Sequence, residues 1–404
     1  LLFEPSGGST AARKLIPYTK GLKREFLQGL WPWLLDLDKN FPRLKHGQLY
    51  FSITPVAAEN GRTRGGIPVG FADDTEYLGR LGAFFVGRKF CVPAAVKNIR
   101  NMDEFMYRTL FHLLKARDLR FISVWNPTFL TLLMDQFAAN REQLTRDVAA
   151  ADKDRAREIS NAGTDGLWPD LEVISCWADG NAKPMADKAQ KLFPRTYIQP
   201  KGLLATEGIM TVPVEGLGKK LTSAHFFEFE DDAGNVTPQG GALQPGRIYD
   251  IILTTSGGFY RYKIGDRVQY RGKDCFDFVG KGSHVSDYFG EKLNESHVCA
   301  ALRDLSCEFC MLAPRGDGYV LYVDEKAEVS RAFAAALDTR LRENFHYDYC
   351  RRLGQLRDVA VFRIKGDAHA QHARNCVARG QRLGDVKNLC LSNKDDWQFE
   401  GSLL

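Results

Sequence analysis

The sequence predicts an α/β protein with a large first domain and a small α+β domain at the carboxyl end. Two observations lead to this prediction. Helical and strand patterns alternate through residues 104–198, and after a strand-rich stretch the chain follows the order helix, strand, strand, helix, strand. An element order of that kind is typical of a self-contained two-layer domain. We place the boundary near residue 280, which gives domains at 1–280 and 281–404.

The composition allows two or three domains and a substantial core. Of the 404 residues, 44% are hydrophobic and 26% are charged, which is ordinary for a soluble globular protein and argues against disorder. The 55 basic and 50 acidic residues leave a net charge of +5, with no long basic run. This excess is too small for a nucleic-acid or membrane footprint, so we expect neither partner. A small anionic substrate fits better.

The cysteines and the apolar stretches indicate a cytoplasmic protein. The nine cysteines are scattered, and the close pair Cys307 and Cys310 has no second pair to complete a zinc site. We interpret them as reduced thiols. No apolar stretch approaches the roughly 18 residues of a membrane helix, and no signal peptide is visible in the given sequence, although an upstream segment could carry one. The expected location is therefore the cytoplasm.

The alternating segments can be assigned one by one. Asn126 followed by Pro127 is a typical helix start. His112 lies on the apolar face of the helix predicted at 104–116. A histidine in such a position is more often part of the core than a ligand, so we leave it out of the site. The predicted elements are helices at 104–116, 129–139, 141–162 (exposed) and 185–192, and strands at 120–124, 171–177 and 196–198.

From residue 203 the pattern changes to strands separated by glycine-rich turns such as Ser256-Gly257-Gly258, which predicts a β-rich subdomain. The helical pattern returns after residue 280. The elements predicted there are a helix at 295–305, strands at 308–313 and 319–323, a helix at 328–344 and a strand at 359–364.

The chain opens with LLFEPSGGSTAARKLIPYT, in which small and hydroxyl residues precede a basic pair. Gly and Ser supply backbone N–H groups without bulk, and a lysine adds charge, so this stretch suits a phosphate. Its spacing does not match the Walker A motif. A flexible polar loop is the alternative from the residues alone. Because the chain lacks an initiating Met and begins like the end of a strand, we expect a longer upstream segment.

Three separated stretches resemble, in order and residue type, the nucleotide motifs of the adenylate-forming superfamily. They are SGGSTAARK at 6–14, LLATEG at 203–208 and YRYKIGD at 260–266. HFFEF at 225–229 and VSDYFGEKLNE at 285–295 further resemble the auxin-responsive Gretchen Hagen family of acyl-acid amido synthetases, in its bacterial form. The resemblance covers nearly the whole chain. It implies the adenylate-forming enzyme fold, N-terminally truncated here, with ATP and Mg²⁺ as cofactors.

The resemblance also implies roles for individual residues. Glu207 offers a hard carboxylate to a Mg²⁺ that bridges the ATP phosphates, and Thr206 can hydrogen-bond the α-phosphate. Asp266, at the end of its strand, would take the ribose hydroxyls. The segment GQRLGDVKNLCL at 380–391 resembles the family's C-terminal segment with a catalytic lysine, here Lys387, whose alternative is a solvated loop residue. The other implied nucleotide-binding residues are Ser6, Ser9, Thr10, Lys14 and Gly202.

The sequence departs from the superfamily pattern in two places. Leu203 and Leu204 stand where an aromatic residue and a glycine usually precede the Thr-Glu pair, so another side chain must stack on adenine. Lys281 occupies a hinge position where the superfamily often has Arg. A lysine there keeps the positive charge but cannot form the paired hydrogen bonds of a guanidinium group. Trp125 is a candidate for the wall of the acyl pocket.

The predicted activity is that of a two-step ligase. A carboxylate attacks the α-phosphate of ATP to form an acyl-adenylate in a site closed by the small, mobile domain, and an amine, in the first instance an amino acid, then displaces AMP. Two alternatives remain: a carboxylate-CoA ligase and a nucleotide-binding homologue without turnover. The expected partners are the small carboxylic acid and the amine, and the expected assembly is a monomer or weak dimer.

Overall fold

The chain forms three main sheets in the computed structural model: a four-stranded parallel sheet, a seven-stranded antiparallel sheet and a four-stranded mixed sheet. This confirms the predicted α/β class, with a β-rich part in the first domain and an α+β part at the carboxyl end. The structure describes residues 1–5, 15–52, 62–63, 65–70, 89–99, 101–179, 182–281, 285–286, 291–352, 354–381 and 383–404.

The chain begins with an antiparallel hairpin of β1 (Leu2–Pro5) and β2 (Leu15–Tyr18), and helix α1 (Lys20–Asn40) follows. The hydroxyl of Thr19 accepts a hydrogen bond from the N–H of Leu22 at 3.0 Å. A side-chain oxygen at this position satisfies an N–H group that has no partner within the first turn of the helix. The capped start of α1 therefore follows directly from the sequence.

The parallel sheet has the order β3-β4-β5-β6, and each connection between its strands carries at least one helix. Its elements are β3 (Gln48–Phe51), α2 (Met102–Lys115), β4 (Leu119–Ser123), α3 (Pro127–Ala149), α4 (Lys153–Asn161), β5 (Val173–Cys176), α5 (Lys183–Leu192) and β6 (Tyr197–Pro200).

The start of α3 agrees with the prediction. The side-chain oxygen of Asn126 accepts from the N–H of Thr128 at 2.9 Å, and Pro127 occupies the first helical turn. Helix α3 is broken at Asn140, whose φ and ψ of −116° and 17° are not helical. That break lies between the two helices predicted at 129–139 and 141–162.

The prediction of one exposed helix over 141–162 is wrong in two respects. The segment forms the end of α3 and then α4, and its inner face is buried, including Leu144 and Ile159. Arg155 is 2% exposed, and its guanidinium donates to the carbonyl oxygens of Leu114 at 2.7 Å and Leu167 at 2.6 Å. The sequence analysis missed this buried face because the segment is rich in polar residues. Arg155 is buried with its donors satisfied, and a buried arginine does not contribute to an apolar pattern.

The antiparallel sheet has the order β12-β11-β13-β14-β15-β10-β9, and a two-stranded hairpin precedes it. The hairpin consists of β7 (Leu204–Ala205) and β8 (Gly208–Ile209). The sheet consists of β9 (Thr211–Val214), β10 (Gly218–Leu221), β11 (Phe226–Glu230), β12 (Val236–Pro238), β13 (Ile248–Thr254), β14 (Tyr262–Gly272) and β15 (Cys275–Lys281).

The alternation of side chains along β11 gives this sheet its apolar face. Phe227 and Phe229 are buried, whereas Phe226 is half-exposed. Phe229 stacks on Phe276 with ring centroids 4.8 Å apart. Complete burial of one such aromatic side chain contributes about 1.5–3 kcal/mol.

The carboxyl-terminal part is built on the sheet β18-β19-β20-β21, in which β19 and β20 are parallel and the other pairs antiparallel. Its elements are β16 (Val285–Ser286), β17 (Leu293–Asn294), α6 (Glu295–Leu302), β18 (Cys310–Arg315), β19 (Gly318–Val323), α7 (Arg331–Leu341), α8 (Phe345–Arg352), β20 (Ala360–Ile364), α9 (Ala368–Ala378) and β21 (Gly401–Leu403).

The sequence did not predict α9 or β21. Helix α9 buries polar residues, among them His369, Gln371 and His372, so its inner face does not read as an apolar stripe. All three residues of β21 are exposed, so this strand has no alternation of buried and exposed positions. The prediction therefore stopped at β20.

The segment from α9 onward packs against the first domain. Ala373, Cys376, Leu383 and Val386 belong to the same buried apolar cluster as the inner faces of α2, α3 and α5. Most other buried residues after 290 form separate clusters around the mixed sheet. The boundary near residue 280 stays a prediction, and the last helix bridges the two parts as they lie here.

One cysteine pair differs from the interpretation of all nine as reduced thiols. Cys299 on α6 and Cys390 form a disulfide, with their Cα atoms 5.5 Å apart. The two residues are 91 positions apart in the sequence, and such a pairing depends on tertiary structure that spacing alone does not reveal. Cys307 and Cys310 are free thiols. In the described ranges no helix is both long and apolar enough to cross a membrane.

His372 should make the fold sensitive to acid. The ring is 2% exposed and stacks on Trp397 at 5.0 Å. Burial, with smaller effects from His369 and Arg379, lowers its pKa to about 3. Because an unfolded histidine titrates near 6.5, the unfolded chain binds more protons below that pH, and stability falls as the pH drops from about 6.5 towards 3. At about pH 5 this residue alone should cost about 2 kcal/mol.

The variant His372→Phe keeps a ring of similar size and removes the titration. Its loss of Tm between about pH 7.5 and about pH 5 should be smaller than that of the wild type, measured by differential scanning calorimetry. The exposed His46→Phe serves as the control and should leave the loss unchanged. An equal loss of Tm in wild type and His372→Phe would contradict this account.

Candidate functional site

The carboxyl ends of β4, β5 and β6 meet at one edge of the parallel sheet. β4 leads into Trp125 and Asn126, β5 into Trp177, and β6 into Lys201 and Gly202. The rings of Trp125 and Trp177 are 6.1 Å apart. In open α/β sheets, ligands bind in the crevice outside the carboxyl ends of the strands. We therefore take this edge as the candidate site.

A lysine that the sequence analysis did not select lies at the centre of this edge. The ammonium of Lys201 donates to the hydroxyl of Ser123 at 2.7 Å. It also lies 5.4 Å from the ring centroid of Trp33 and 5.2 Å from that of Trp125. Burial lowers the pKa of Lys201 to about 8. Its position directly after β6 was the available signal in the sequence.

Thr206 and Glu207 form the two-residue turn between β7 and β8. The hydroxyl of Tyr18, at the end of β2, donates to the carbonyl oxygen of Thr206 at 2.6 Å. On the other strand, the N–H of Ile209 donates to Nε2 of His225 at 3.0 Å. The turn is thus held from both sides, with the Thr206 and Glu207 side chains at its tip.

The acceptor role of Nε2 fixes the state of His225. Its other nitrogen, Nδ1, carries the proton and lies 3.0 Å from a carboxylate oxygen of Glu25 on α1. Burial lowers the pKa of His225, which keeps the ring neutral, while Glu25 opposes that shift. The same carboxylate accepts from the N–H of Ser256 at 3.1 Å. These contacts tie α1, the antiparallel sheet and the Thr206–Glu207 turn into one arrangement.

The predicted phosphate-binding residues Ser6, Ser9, Thr10 and Lys14 lie outside the described residues. The two strands that flank them are placed, with Pro5 paired to Leu15. Tyr18 lies three residues further along β2, about 10 Å from that pair. The stretch 6–14 therefore begins and ends on the hairpin whose other end contacts Thr206.

Gly202 has a packing reason for being glycine. It is buried, and a Cβ at this position would come within 1.9 Å of the carbonyl oxygen of Thr211. The chain can pass β9 this closely only without a side chain. The predicted contact of Gly202 with the nucleotide stays a prediction.

Asp266 lies within β14 rather than at the end of a strand, which corrects the expectation. The register between β13 and β14 shifts between Asp250 and Ile252, and Gly265 has a positive φ of 78°. A bulge of this kind redirects side chains next to functional sites. Asp266 is buried, and its backbone pairs with that of Lys281 on β15. The structure thus brings together two residues that the sequence singled out separately.

Lys387 lies at the same sheet edge as Trp177. Its ammonium is 4.7 Å from the centroid of the Trp177 ring. The side-chain amide of Asn126 donates to the carbonyl oxygen of Val386, and the amide of Asn388 lies 3.1 Å from Nδ1 of His369. The segment is therefore held from the first domain and from α9. The sequence placed Lys387 beyond the final strand, whereas β21 follows it.

A second lysine links the loop after β5 to the antiparallel sheet. The ammonium of Lys219 lies 2.6 Å from a carboxylate oxygen of Asp179 and 2.7 Å from one of Asp277. Burial raises the pKa of Asp179, and Lys219 opposes that shift. A partly buried lysine between two carboxylates is a strong tether, because removing it would leave like charges close together. Sequence reasoning missed this contact because its three residues lie far apart in the chain.

The residues present fit a nucleotide with a magnesium ion. Among the described residues no group of three His, Cys, Asp or Glu side chains is suited to a metal. Mg²⁺ needs no such group, since it is usually held by one or two carboxylates together with substrate phosphates. Glu207 on its turn can supply one carboxylate, and the carboxyl edge provides the cation Lys387.

Three regions of the chain are similar to one protein family. Models of the GH3 family match residues 1–161 (GH3 family N-terminal domain), 220–280 (GH3 family central domain) and 295–396 (GH3 family C-terminal domain). A curated relative, "Probable indole-3-acetic acid-amido synthetase GH3.6" of Oryza sativa subsp. japonica, is 28% identical over 157 residues, a match that covers 34% of this chain and 32% of the relative. The chain thus spans about a third of the length of the curated relative it matches.

Two solved structures share the fold. "AtGH3.15 acyl acid amido synthetase in complex with 2,4-DB" has a TM-score of 0.78 at 16% identity and covers 98% of this chain and 80% of its own. "GH3.15 acyl acid amido synthetase" has a TM-score of 0.74 at 18% identity and covers 96% and 79%. At these identities the likeness concerns the fold, and it agrees with the family matches along the sequence. The three matched regions together cover most of the chain, and the chain belongs to the GH3 family.

Proposed function

We propose that this protein is an ATP-dependent acyl-acid amido synthetase. It activates a carboxylic acid as an acyl-adenylate and transfers the acyl group to an amine, in the first instance an amino acid. The observation that carries the proposal is the position of Lys387 over Trp177 at the carboxyl edge where β6 leads to the Thr206–Glu207 turn. Membership of the GH3 family and the names of the relatives support it.

In the first step, a carboxylate oxygen of the acid attacks the α-phosphorus, the bond to the bridging oxygen breaks, and pyrophosphate leaves. Glu207 would hold a Mg²⁺ ion, which would supply charge neutralisation at the phosphates. Thr206 donates its hydroxyl to the α-phosphate, and Lys387 stabilises the charge that grows on the bridging oxygen. Asp266 accepts from the ribose hydroxyls, and Ser6, Ser9, Thr10 and Lys14 bind the outer phosphates.

In the second step, the amine nitrogen attacks the acyl carbon, the bond to the AMP oxygen breaks, and the amine loses a proton. Because the acyl-adenylate hydrolyses in water, the site must be closed during both steps. Residues 281–404, which carry Lys387, are proposed to act as the mobile domain. A cytoplasmic location and a monomeric or weakly dimeric state remain proposals.

The function is tested with a panel of carboxylic acids that includes indole-3-acetic acid and 2,4-DB. Each acid is incubated with ATP, Mg²⁺ and either mixed amino acids or CoA, and pyrophosphate, AMP and conjugates are measured by mass spectrometry. We expect acid-dependent pyrophosphate release, and an amide when an amino acid is present. A thioester formed with CoA at a comparable rate would favour a carboxylate-CoA ligase. ATP binding without pyrophosphate release from any acid would indicate a homologue without turnover.

Replacing Glu207 by Gln should reduce turnover by roughly a hundredfold or more, because the change removes a full charge from the metal site and keeps the shape of the side chain. The measurement is acid-dependent pyrophosphate release as a function of Mg²⁺ concentration. Glu142→Gln makes the same exchange on the exposed face of α3 and should leave the rate unchanged. Wild-type turnover in Glu207→Gln would remove this residue from the mechanism.

Replacing Lys387 by Ala should slow adenylation by about two orders of magnitude or more with little effect on ATP affinity, because its ammonium acts on charge present only in the transition state. Supplied with synthetic acyl-adenylate, the variant should still form amide at close to the wild-type rate. Lys365→Ala, an exposed lysine of the same domain, is the matched control. If amide formation from the adenylate is as slow as the reaction from ATP, the assignment of Lys387 to adenylation is wrong.

A further inference from the structure

Among the residues that the structure describes, Lys201 has no carboxylate partner for its positive charge at the carboxyl edge. Within the described part of the chain its ammonium contacts the hydroxyl of Ser123 and the faces of two indole rings. The nearby thiol of Cys176 does not compensate the charge, because burial raises its pKa to about 12 and keeps it neutral. Charges in such surroundings are ordinarily paired.

The surroundings of Lys201 are rigid and apolar. Trp33 is 8% exposed, and its indole N–H donates to the side-chain oxygen of Gln199 at 2.8 Å, which fixes that ring. Trp125 lies on the other side of the ammonium and also faces Trp177. Lys201, Trp125 and Trp177 are each half-buried, so part of each residue remains accessible at the edge.

With respect to the described ranges, the Lys201 ammonium has unused donor capacity. A protonated lysine has three N–H donors, and Ser123 takes one of them. Two donors are left beside two aromatic faces, at the edge where the strands of an open α/β sheet bind ligands. This combination suits an anion attached to a flat apolar group.

We propose that Lys201 binds the carboxylate of an aromatic acyl acid, with the rings of Trp125 and Trp177 beside its apolar part. The proposal rests on the proposed function and adds the residue that recognises the acid. In this role Lys201 is a specificity-determining residue: it selects an ionised acid over the corresponding neutral molecule. The carboxylate is thereby held at the sheet edge that also carries Lys387.

A phosphate of ATP is the other anion that a lysine could bind here. The surroundings favour the carboxylate, because a phosphate carries more charge and more acceptor oxygens than two lysine donors between indole rings can satisfy. The stretch 6–14 offers the donors that suit phosphates. The experiment therefore measures acid and nucleotide separately.

The test compares benzoate, phenylacetate and indole-3-acetate with their primary amides, which have similar shapes and no charge. Binding to the purified protein without ATP is followed by tryptophan fluorescence, to which Trp33 and Trp125 contribute. The wild type should bind at least one carboxylate about tenfold or more tighter than its amide. Lys201→Met should lose this preference, Lys201→Arg should keep part of it, and the affinity of both variants for ATP with Mg²⁺ should stay within about twofold of wild type.

Lys191→Met is the matched control, since it makes the same exchange at an exposed position of α5. The fold of Lys201→Met is checked by circular dichroism, and removing a desolvated charge should not lower its Tm. If Lys201→Met does not fold, the proposal is tested on the wild type by chemical protection of Lys201. Indole-3-acetate, and not indole-3-acetamide, should protect Lys201 from acetylation by an N-hydroxysuccinimide ester, read by peptide mass spectrometry.

Three results would overturn the proposal: wild-type affinity for carboxylates in Lys201→Met, a loss of ATP affinity as large as the loss of acid affinity, or no carboxylate binding to the wild type up to about 10 mM. The outcomes also separate the two proposals. Acid binding that depends on Lys201 without any pyrophosphate release would leave this inference standing and refute the synthetase. Acid-dependent pyrophosphate release with an unchanged KM for the acid in Lys201→Met would support the synthetase and refute the role of Lys201 in binding the acid.

Discussion

The parallel pairing of β3, β4, β5 and β6 is the constraint on which the rest of the site depends. Parallel strands end at the same edge of a sheet, so residues from three distant parts of the sequence meet there without any local signal. Trp125, Trp177 and Lys201 each owe their place to being the first or second residue after a strand. The segment with Lys387 then packs on that edge through Asn126 and Trp177.

The Thr206–Glu207 turn depends on a second constraint, which is the neutrality of its supports. Tyr18 and His225 hold the two strands of the turn, and neither support carries a charge in this arrangement. A charged support would attract or repel a polyanionic nucleotide and so alter its own position on binding. A neutral tyrosine hydroxyl and a neutral imidazole keep the backbone of the turn in place, and in the proposed function the side chain of Glu207 supplies the charge.

Sequence reasoning reached the parts of the molecule whose cause is local. The helix start at Asn126 and Pro127 and the change to a strand pattern from residue 203 are determined by neighbouring residues. Asp266 was identified, but its bulge was not, because the register of β13 against β14 depends on the pairing of two strands. Helix α9 was missed because it buries polar side chains such as His372. Lys201 was missed for a related reason, since a lysine is ordinarily an exposed residue and only the converging strands give it an aromatic environment.

The disulfide between Cys299 and Cys390 changes the consequence of proteolytic cleavage in the carboxyl-terminal part. It joins the helix at the start of the mixed-sheet region to the residue three positions after Lys387, so every peptide bond from β18 to α9 lies inside one covalent ring. The exposed turn between β18 and β19, at Gly316 and Asp317, is the kind of site where proteases act. After cleavage there, the two pieces would remain joined through sulfur, and the segment with Lys387 would separate from the amino-terminal piece only when a reductant is added.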